Sequence, residues 1–166
     1  MVREVVENLR LEPGDIVLDA TLGGGGHAAE ILKGILPGGQ LIGIDRDISA
    51  IEFAKRTLKD YAGSVTLVNA DFRDLDKELQ RSGVQKLSGA LFDLGVSSFH
   101  LDDPRRGFSV YGEGPLDFRF DRSQSLTGSE LVNEWPEEEL RSILWEYANE
   151  RFARAIARRI CQMRVH

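Results

Sequence analysis

Up to Asp93, short and continuously apolar runs alternate with longer stretches in which apolar residues recur every three or four positions. The runs Ile16 to Asp19, Leu41 to Asp45, Val65 to Val68 and Ala90 to Asp93 have the length and unbroken apolarity of strands covered on both faces. Between them, Ala28, Ile31, Leu32 and Ile35 mark one helical stripe, Ile51, Ala54 and Leu58 a second, and Leu75 with Leu79 a shorter third. Gly34 weakens the first of these near its end. Strands alternating with helices predict an α/β fold with right-handed crossovers and a parallel sheet.

From Asp93 to about Ser125 the periodicity is lost, and glycines, prolines and polar residues dominate. Phe99, Leu101, Phe108, Tyr111, Leu116, Phe118 and Phe120 nevertheless fall in this stretch, which argues for an organised binding loop rather than disorder. Beyond it, Ser129 to Trp135 reads as a short helix, Pro136 suits the first turn of another, and Phe152, Ile156 and Ile160 form a stripe that runs to the end. The expected division is residues 1–105 for the sheet domain and 106–166 for the loop and a helical segment.

Composition narrows the picture. With 166 residues, 42% hydrophobic and 29% charged, the chain can bury one good core. A single Cys161 forms no internal disulfide, and no apolar stretch reaches the length of a signal sequence or membrane span, so a cytoplasmic protein is expected. The net charge of −6 argues weakly against a nucleic-acid partner, but the five arginines from Arg151 onward, with no acid among them, qualify that. No second His or Cys stands near His27 to suggest a metal site.

The first strand runs into Asp19-Ala20-Thr21-Leu22-Gly23-Gly24-Gly25-Gly26-His27, and Asp45 closes the second. Glycines permit a sharp turn and a close ligand approach, while a carboxylate at the next strand end can accept hydrogen bonds from ribose hydroxyls. The pair therefore reads as a nucleotide-type cofactor site, with Asp19 near the ligand's polar end. Asp47 or Ser49 can cap the following helix, which leaves Asp45 for the ribose. In a 3-2-1-4 sheet the order reverses between the first and fourth strands, so Asp19 and Asp93 flank one crevice with Asp45 one strand farther out. Gly23, Gly25 and Ala28 also satisfy the dinucleotide pattern, which keeps an NAD-dependent oxidoreductase open at this point. Ser97 and Ser98 lack the spacing of a hydrolase nucleophile.

The glycine turn, Gly43-Ile44-Asp45-Arg46-Asp47, Phe92-Asp93-Leu94-Gly95-Val96-Ser97-Ser98, Leu101-Asp102, Arg106-Gly107-Phe108-Ser109 and Gly114-Pro115-Leu116-Asp117 together closely resemble the bacterial small-subunit (16S) ribosomal RNA cytosine-N4 methyltransferase family. Met1-Val2-Arg3-Glu4-Val5 is similar to the stretch after that family's N-terminal His-x-Pro-Val segment, and Glu150-Arg151-Phe152-Ala153-Arg154 to a later helix. The resemblance implies a Rossmann-like class I methyltransferase fold and S-adenosylmethionine in place of NAD. It puts Gly25, Gly26 and His27 on the methionine and sugar side, Asp45 on the ribose and Phe72 near the adenine, with Asp93 and His100 completing the pocket. Its partner would be ribosomal RNA in the 30S particle.

The chain departs from the family at His100, where glutamine is usual, at Phe118 and Phe120, where methionines are usual, and at Ala148-Asn149-Glu150 in place of Gly-Glu-Glu. Family members also continue well past this length and return to the sheet, so the chain reads as an N-terminal portion with a partial sheet. An open strand edge or the helical segment then invites a homodimer. Asp93 and the carbonyls of Leu94 to Val96 are the candidates for holding the acceptor amine. Arg105, Arg106, Arg119 and Arg122, and separately Arg151, Arg154 and Arg158, are the candidates for RNA phosphates. A non-catalytic fragment that binds cofactor or RNA without turnover is the remaining alternative.

Overall fold

A computed structural model describes residues 2–164, which fall into two compact units, Met1–Phe99 and His100–His166. The first unit runs α1 (Val2–Leu9), β1 (Ile16–Asp19), α2 (Gly26–Ile35), β2 (Gln40–Asp45), α3 (Ile48–Thr57), β3 (Val65–Asn69), α4 (Leu75–Arg81) and β4 (Gly89–Leu91). The strands form one parallel sheet in the order β3-β2-β1-β4. Leu18 of β1 lies opposite Ile42 of β2 on one side and Ala90 of β4 on the other, so β1 is central and fully laddered.

Alternation along these strands sends side chains to two separate cores. Val17 and Leu41 pack with Ile31 and Leu32 of α2 and Ile51 and Ala54 of α3, whereas Leu18, Ile42 and Ile44 pack with Val68 and Leu75. Both faces are covered along β1 and β2, as their unbroken apolar runs predict, whereas the edge strands β3 and β4 expose Thr66 and Ala90, so the expectation of four strands covered on both faces is corrected for these two. The stripes of α2 and α3 are buried as expected, Gly34 included in its helix. A Cβ at Gly34 would come within 3.0 Å of Leu11 Cδ1, so the glycine admits the incoming chain between α1 and β1.

Two local differences have clear causes. The apolar residues Val2, Val5, Val6 and Leu9 carry the three-to-four spacing of a helix, and the structure places α1 there, with Leu9 packed on the first core. At the other end β4 stops at Leu91 instead of continuing to Asp93, because the Asp93 N–H leaves the ladder and donates to Thr21 Oγ1 at 2.7 Å. Gly43 is the tight point of the sheet: an added Cβ would meet Leu22 Cδ1 at 2.7 Å and Leu67 Cδ2 at 3.1 Å. Gly43→Ala is expected to lower stability by about 1–2 kcal/mol, since two leucine ends must shift to admit one methyl. Chemical denaturation of the variant reads this directly.

Ser98–Leu101 forms the short α5. In the second unit, a single 3-10 turn (Pro104–Arg106) is followed by irregular chain and then by α6 (Gly128–Glu134), α7 (Glu137–Glu146) and α8 (Ala153–Met163). Thr127 and Glu130 make a reciprocal capping box at α6, and Pro136 stands one place earlier than expected, as the N-cap of α7. On α8 the buried face is Ala153 and Ala157, while Phe152 is 68% exposed. The expected stripe of Phe152, Ile156 and Ile160 is thus corrected: small alanines permit close packing against α7, and the larger apolar residues lie to its side.

The irregular segment is ordered from within. Arg106 is only 3% exposed, and its Nη2 donates to the carbonyls of Arg119 at 3.0 Å and Phe120 at 3.1 Å. Arg119 lays its guanidinium on Asp117, at 2.8 and 3.0 Å, and holds that carboxyl down at about 2. Arg105 pairs with Asp103, and Arg122 donates to the Arg105 carbonyl at 3.1 Å. The four loop arginines that sequence suggested for phosphates are therefore engaged within the chain.

Candidate functional site

The loops at the carboxyl ends of β1, β2 and β4 converge at the reversal of strand order. Asp19 ends β1 completely buried. Its Oδ1 accepts the Thr21 N–H at 3.2 Å, and its Oδ2, also buried, has no hydrogen-bond partner. Burial raises the carboxyl from its usual 3.8 to about 7, with the nearby charges of Asp45 and Asp93 adding to the rise and the Thr21 N–H opposing it. An unpaired acceptor this deep marks a place for a donor or a cation.

After Asp19 the chain folds back over the end of β2. The Leu22 N–H donates to Ile44 O at 3.0 Å and the Gly23 N–H to Asp45 Oδ2 at 2.8 Å. Gly23 at φ 51° and Gly25 at φ 81° adopt the left-handed conformation that this reversal requires. Gly26 opens α2 with no atom within 4 Å of where its Cβ would stand, and the N-cap Gly25 offers no side chain to the first-turn N–H groups. The turn therefore presents bare backbone donors at a helix start, a setting for a carboxylate or another anion.

Asp45 is not left free by the neighbouring cap. Asp47 does cap α3 by accepting the Ser49 N–H at 2.9 Å, yet Asp45 Oδ1 accepts the Asp47 N–H at 2.9 Å while Oδ2 braces the glycine turn. Each carboxylate oxygen still has one lone-pair direction in hand, enough for two hydroxyl donors. Phe72, just beyond β3, is 40% exposed and stands edge-on to Phe92, with ring centroids 6.2 Å apart.

His27 and Asp93 face each other, with Nδ1 3.8 Å from Oδ2. The buried Nε2 of His27 has no partner. Both residues line a cavity of about 490 Å³ whose opposite wall is Glu4, Val5, Asn8 and Leu9 of α1. Sequence reasoning missed this wall and the Thr21 hydroxyl that fixes Asp93. The three-to-four spacing of α1 was available as a signal for the first; nothing local announces the second.

The structure thus brings together Asp19, Gly25, Gly26, His27, Asp45 and Asp93 in the first unit, with Phe72 at the neighbouring strand end. His100 belongs to the second unit, 3% exposed, with its ring 4.8 Å from that of Phe120 and 5.3 Å from that of Phe108. Among the described residues no group of three or more His, Cys, Asp or Glu is placed to hold a metal ion, and no helix is long and apolar enough to cross a membrane.

A family model described as the MraW methylase family matches residues 1–166. Two curated relatives, both named ribosomal RNA small subunit methyltransferase H, are similar along nearly the whole chain. The protein of Brevibacillus brevis is 43% identical over 164 residues, 99% of this chain and 52% of its own. That of Syntrophotalea carbinolica is 46% identical over 164 residues, with the same shares of 99% and 52%. The chain spans about half the length of these relatives. Among solved structures, an rRNA methylase from Streptococcus thermophilus is 22% identical, covering 57% of this chain and 54% of that one with a TM-score of 0.48.

Proposed function

Since the chain belongs to the MraW methylase family, we propose that its first unit binds S-adenosylmethionine and serves methylation of the exocyclic N4 amine of a cytosine in 16S ribosomal RNA, in the 30S particle. The observation that carries the reading is that Asp19 and Asp45 at two strand ends, and Asp93 just past a third, lie around a glycine turn, with Asp19 buried and one of its oxygens unpaired. The residues present fit the cofactor: Asp19 Oδ2 suits the methionine ammonium, the bare N–H groups at Gly25 to His27 its carboxylate, Asp45 the ribose hydroxyls and the Phe72 ring the adenine. Bound there, the cofactor supplies an electrophilic methyl group on a sulfonium.

The chain's own contribution to transfer is positioning. A cytosine amine is a weak nucleophile because its lone pair is delocalised into the ring, and an acceptor for its N–H groups localises that pair. Asp93, with a side chain 53% exposed at the open end of β4, is that acceptor, helped by the carbonyls of Leu94 to Val96. Methylation of the amine releases a proton from its nitrogen, and the Asp93 carboxylate beside His27 would be placed to receive it. The base must leave its stack to arrive there.

The NAD reading shares the turn and Asp45, but membership of a methylase family supports methyl transfer in its place. The test is transfer of labelled methyl to undermethylated small subunits, followed by nucleoside analysis, with this chain and a version extended at its C-terminus compared side by side. N4-methylcytidine is expected; a label on another atom, or heat of binding with NAD and none with S-adenosylmethionine, sinks the reading. In the methylating form, Asp93→Asn is expected to lower the rate about 100-fold, the range of one positioned proton acceptor. Normal cofactor binding with an unchanged rate would remove Asp93 from the reaction.

A further inference from the structure

We propose that the corner joining α7 to α8 is a docking surface for a single-stranded segment of ribosomal RNA, with Tyr147 and Phe152 as base-stacking platforms and Arg151 and Arg154 as phosphate contacts. This rests on the RNA substrate proposed above and adds where the second unit grips it. The loop arginines are engaged with the chain itself, through Asp103, Asp117 and backbone carbonyls. Arg151 and Arg154 are different: both are exposed, and among the described residues neither is in an ion pair. Arg158, one turn on, reaches Glu137 only at 3.7 Å.

The aromatic residues of this corner are unusually bare. Tyr147 is 83% exposed, Phe152 68% and Trp145 56%. They are carried on a rigid turn in which Asn149 takes a left-handed φ of 50°, the Glu150 N–H closes back on Leu144 O at 3.0 Å, and the Glu150 carboxylate accepts the Phe152 N–H at 2.7 Å. That last bond engages the one acid nearest the arginines. Charge then selects the occupant: from Arg151 onward there is no acid, and although Arg164 is tied to the carbonyls of Val132 and Trp135, Arg151 and Arg154 contrast with a chain of net charge −6. Exposed rings and cations close together in the sequence suit bases and phosphates, and stacking is tolerant of sequence because every base has a π-face. A duplex offers no free base faces and would use the arginines alone.

The test is fluorescence anisotropy of the whole chain with a labelled single-stranded RNA from the small subunit and with a matched duplex, over a salt series. Tyr147→Ala and Phe152→Ala are each expected to weaken single-strand binding about 10-fold and duplex binding little. Arg151→Gln with Arg154→Gln is expected to flatten the single-strand salt dependence by about 1.4 in log–log slope. Arg105→Gln changes net charge equally per site and serves as the control that leaves affinity within about 2-fold. Tyr147, fully outside the core, keeps the test independent of folding. Unchanged binding in the aromatic variants, or an equal loss in the control, overturns the proposal. Calorimetry with S-adenosylmethionine on the same variants separates the two readings: loss of cofactor binding in the parent chain defeats the proposed function, while RNA results alone defeat only the docking surface.

Discussion

Arg106→Met will destabilise the second unit by about 3–5 kcal/mol. The guanidinium is almost fully buried and joins distant backbone, since Nη2 serves both Arg119 O and Phe120 O while the Phe118 N–H returns a bond to Arg106 O at 3.1 Å. Methionine fills similar volume without the desolvation penalty of a cation, which by itself would favour the variant. The carbonyls of Arg119 and Phe120, however, are main-chain groups that no substitution removes, and each buried acceptor left without a donor costs roughly 1–3 kcal/mol. Arg106→Lys, with its shorter reach and point charge, is expected to recover only part of the loss. Both tryptophans, Trp135 and Trp145, lie in this unit, so the denaturation midpoint followed by tryptophan emission reads the effect where it occurs.

Asp19→Asn will stabilise the cofactor-free chain above pH 7 and weaken S-adenosylmethionine binding there. The folded-state carboxyl sits near 7 and the unfolded one near 3.8. Between those values the folded chain holds the extra proton, so the Asp19 contribution to stability falls as pH rises from about 4 through 7 and is constant above. The full difference is on the order of 4 kcal/mol. Asparagine removes the charge but leaves an amide N–H unpaired, so the net gain at pH 8 is about 1–3 kcal/mol. A cationic ammonium facing Oδ2 favours the ionised form, so cofactor binding tightens as pH rises across the same window. The variant loses that trend, with a roughly 10–100-fold weaker affinity at pH 8 and little change at pH 5. Thermal unfolding and calorimetry across pH check both signs; a parent and variant with parallel pH profiles would show that Asp19 is not the titrating group.

The sheet was legible because the central strands β1 and β2, buried on both faces, leave a strong apolar signature and each end in an aspartate before a turn, while the edge strands β3 and β4 are apolar runs only partly buried. Asp19 and Asp45 were legible because they end β1 and β2, whereas Asp93 lies two residues past the end of β4 and is held by Thr21 Oγ1. The loop was not. Its arginines look alike in sequence, yet Arg106 is a buried strut and Arg105 an exposed partner of Asp103, a distinction made by carbonyls more than ten residues away in the case of Arg106. The α8 stripe misled because alanine is weak as a hydrophobic signal but strong as a packing surface, and the bulky residues that dominate the pattern are the ones left outside.

The Thr21 hydroxyl belongs to the glycine turn, yet it is what arrests the chain after β4 and fixes Asp93. On the proposed reading, the turn that would cradle the methyl donor and the hydroxyl that tethers the Asp93 backbone belong to one segment. A shift of the turn would then be felt at Asp93 through that one bond, which couples the two sides of the proposed site.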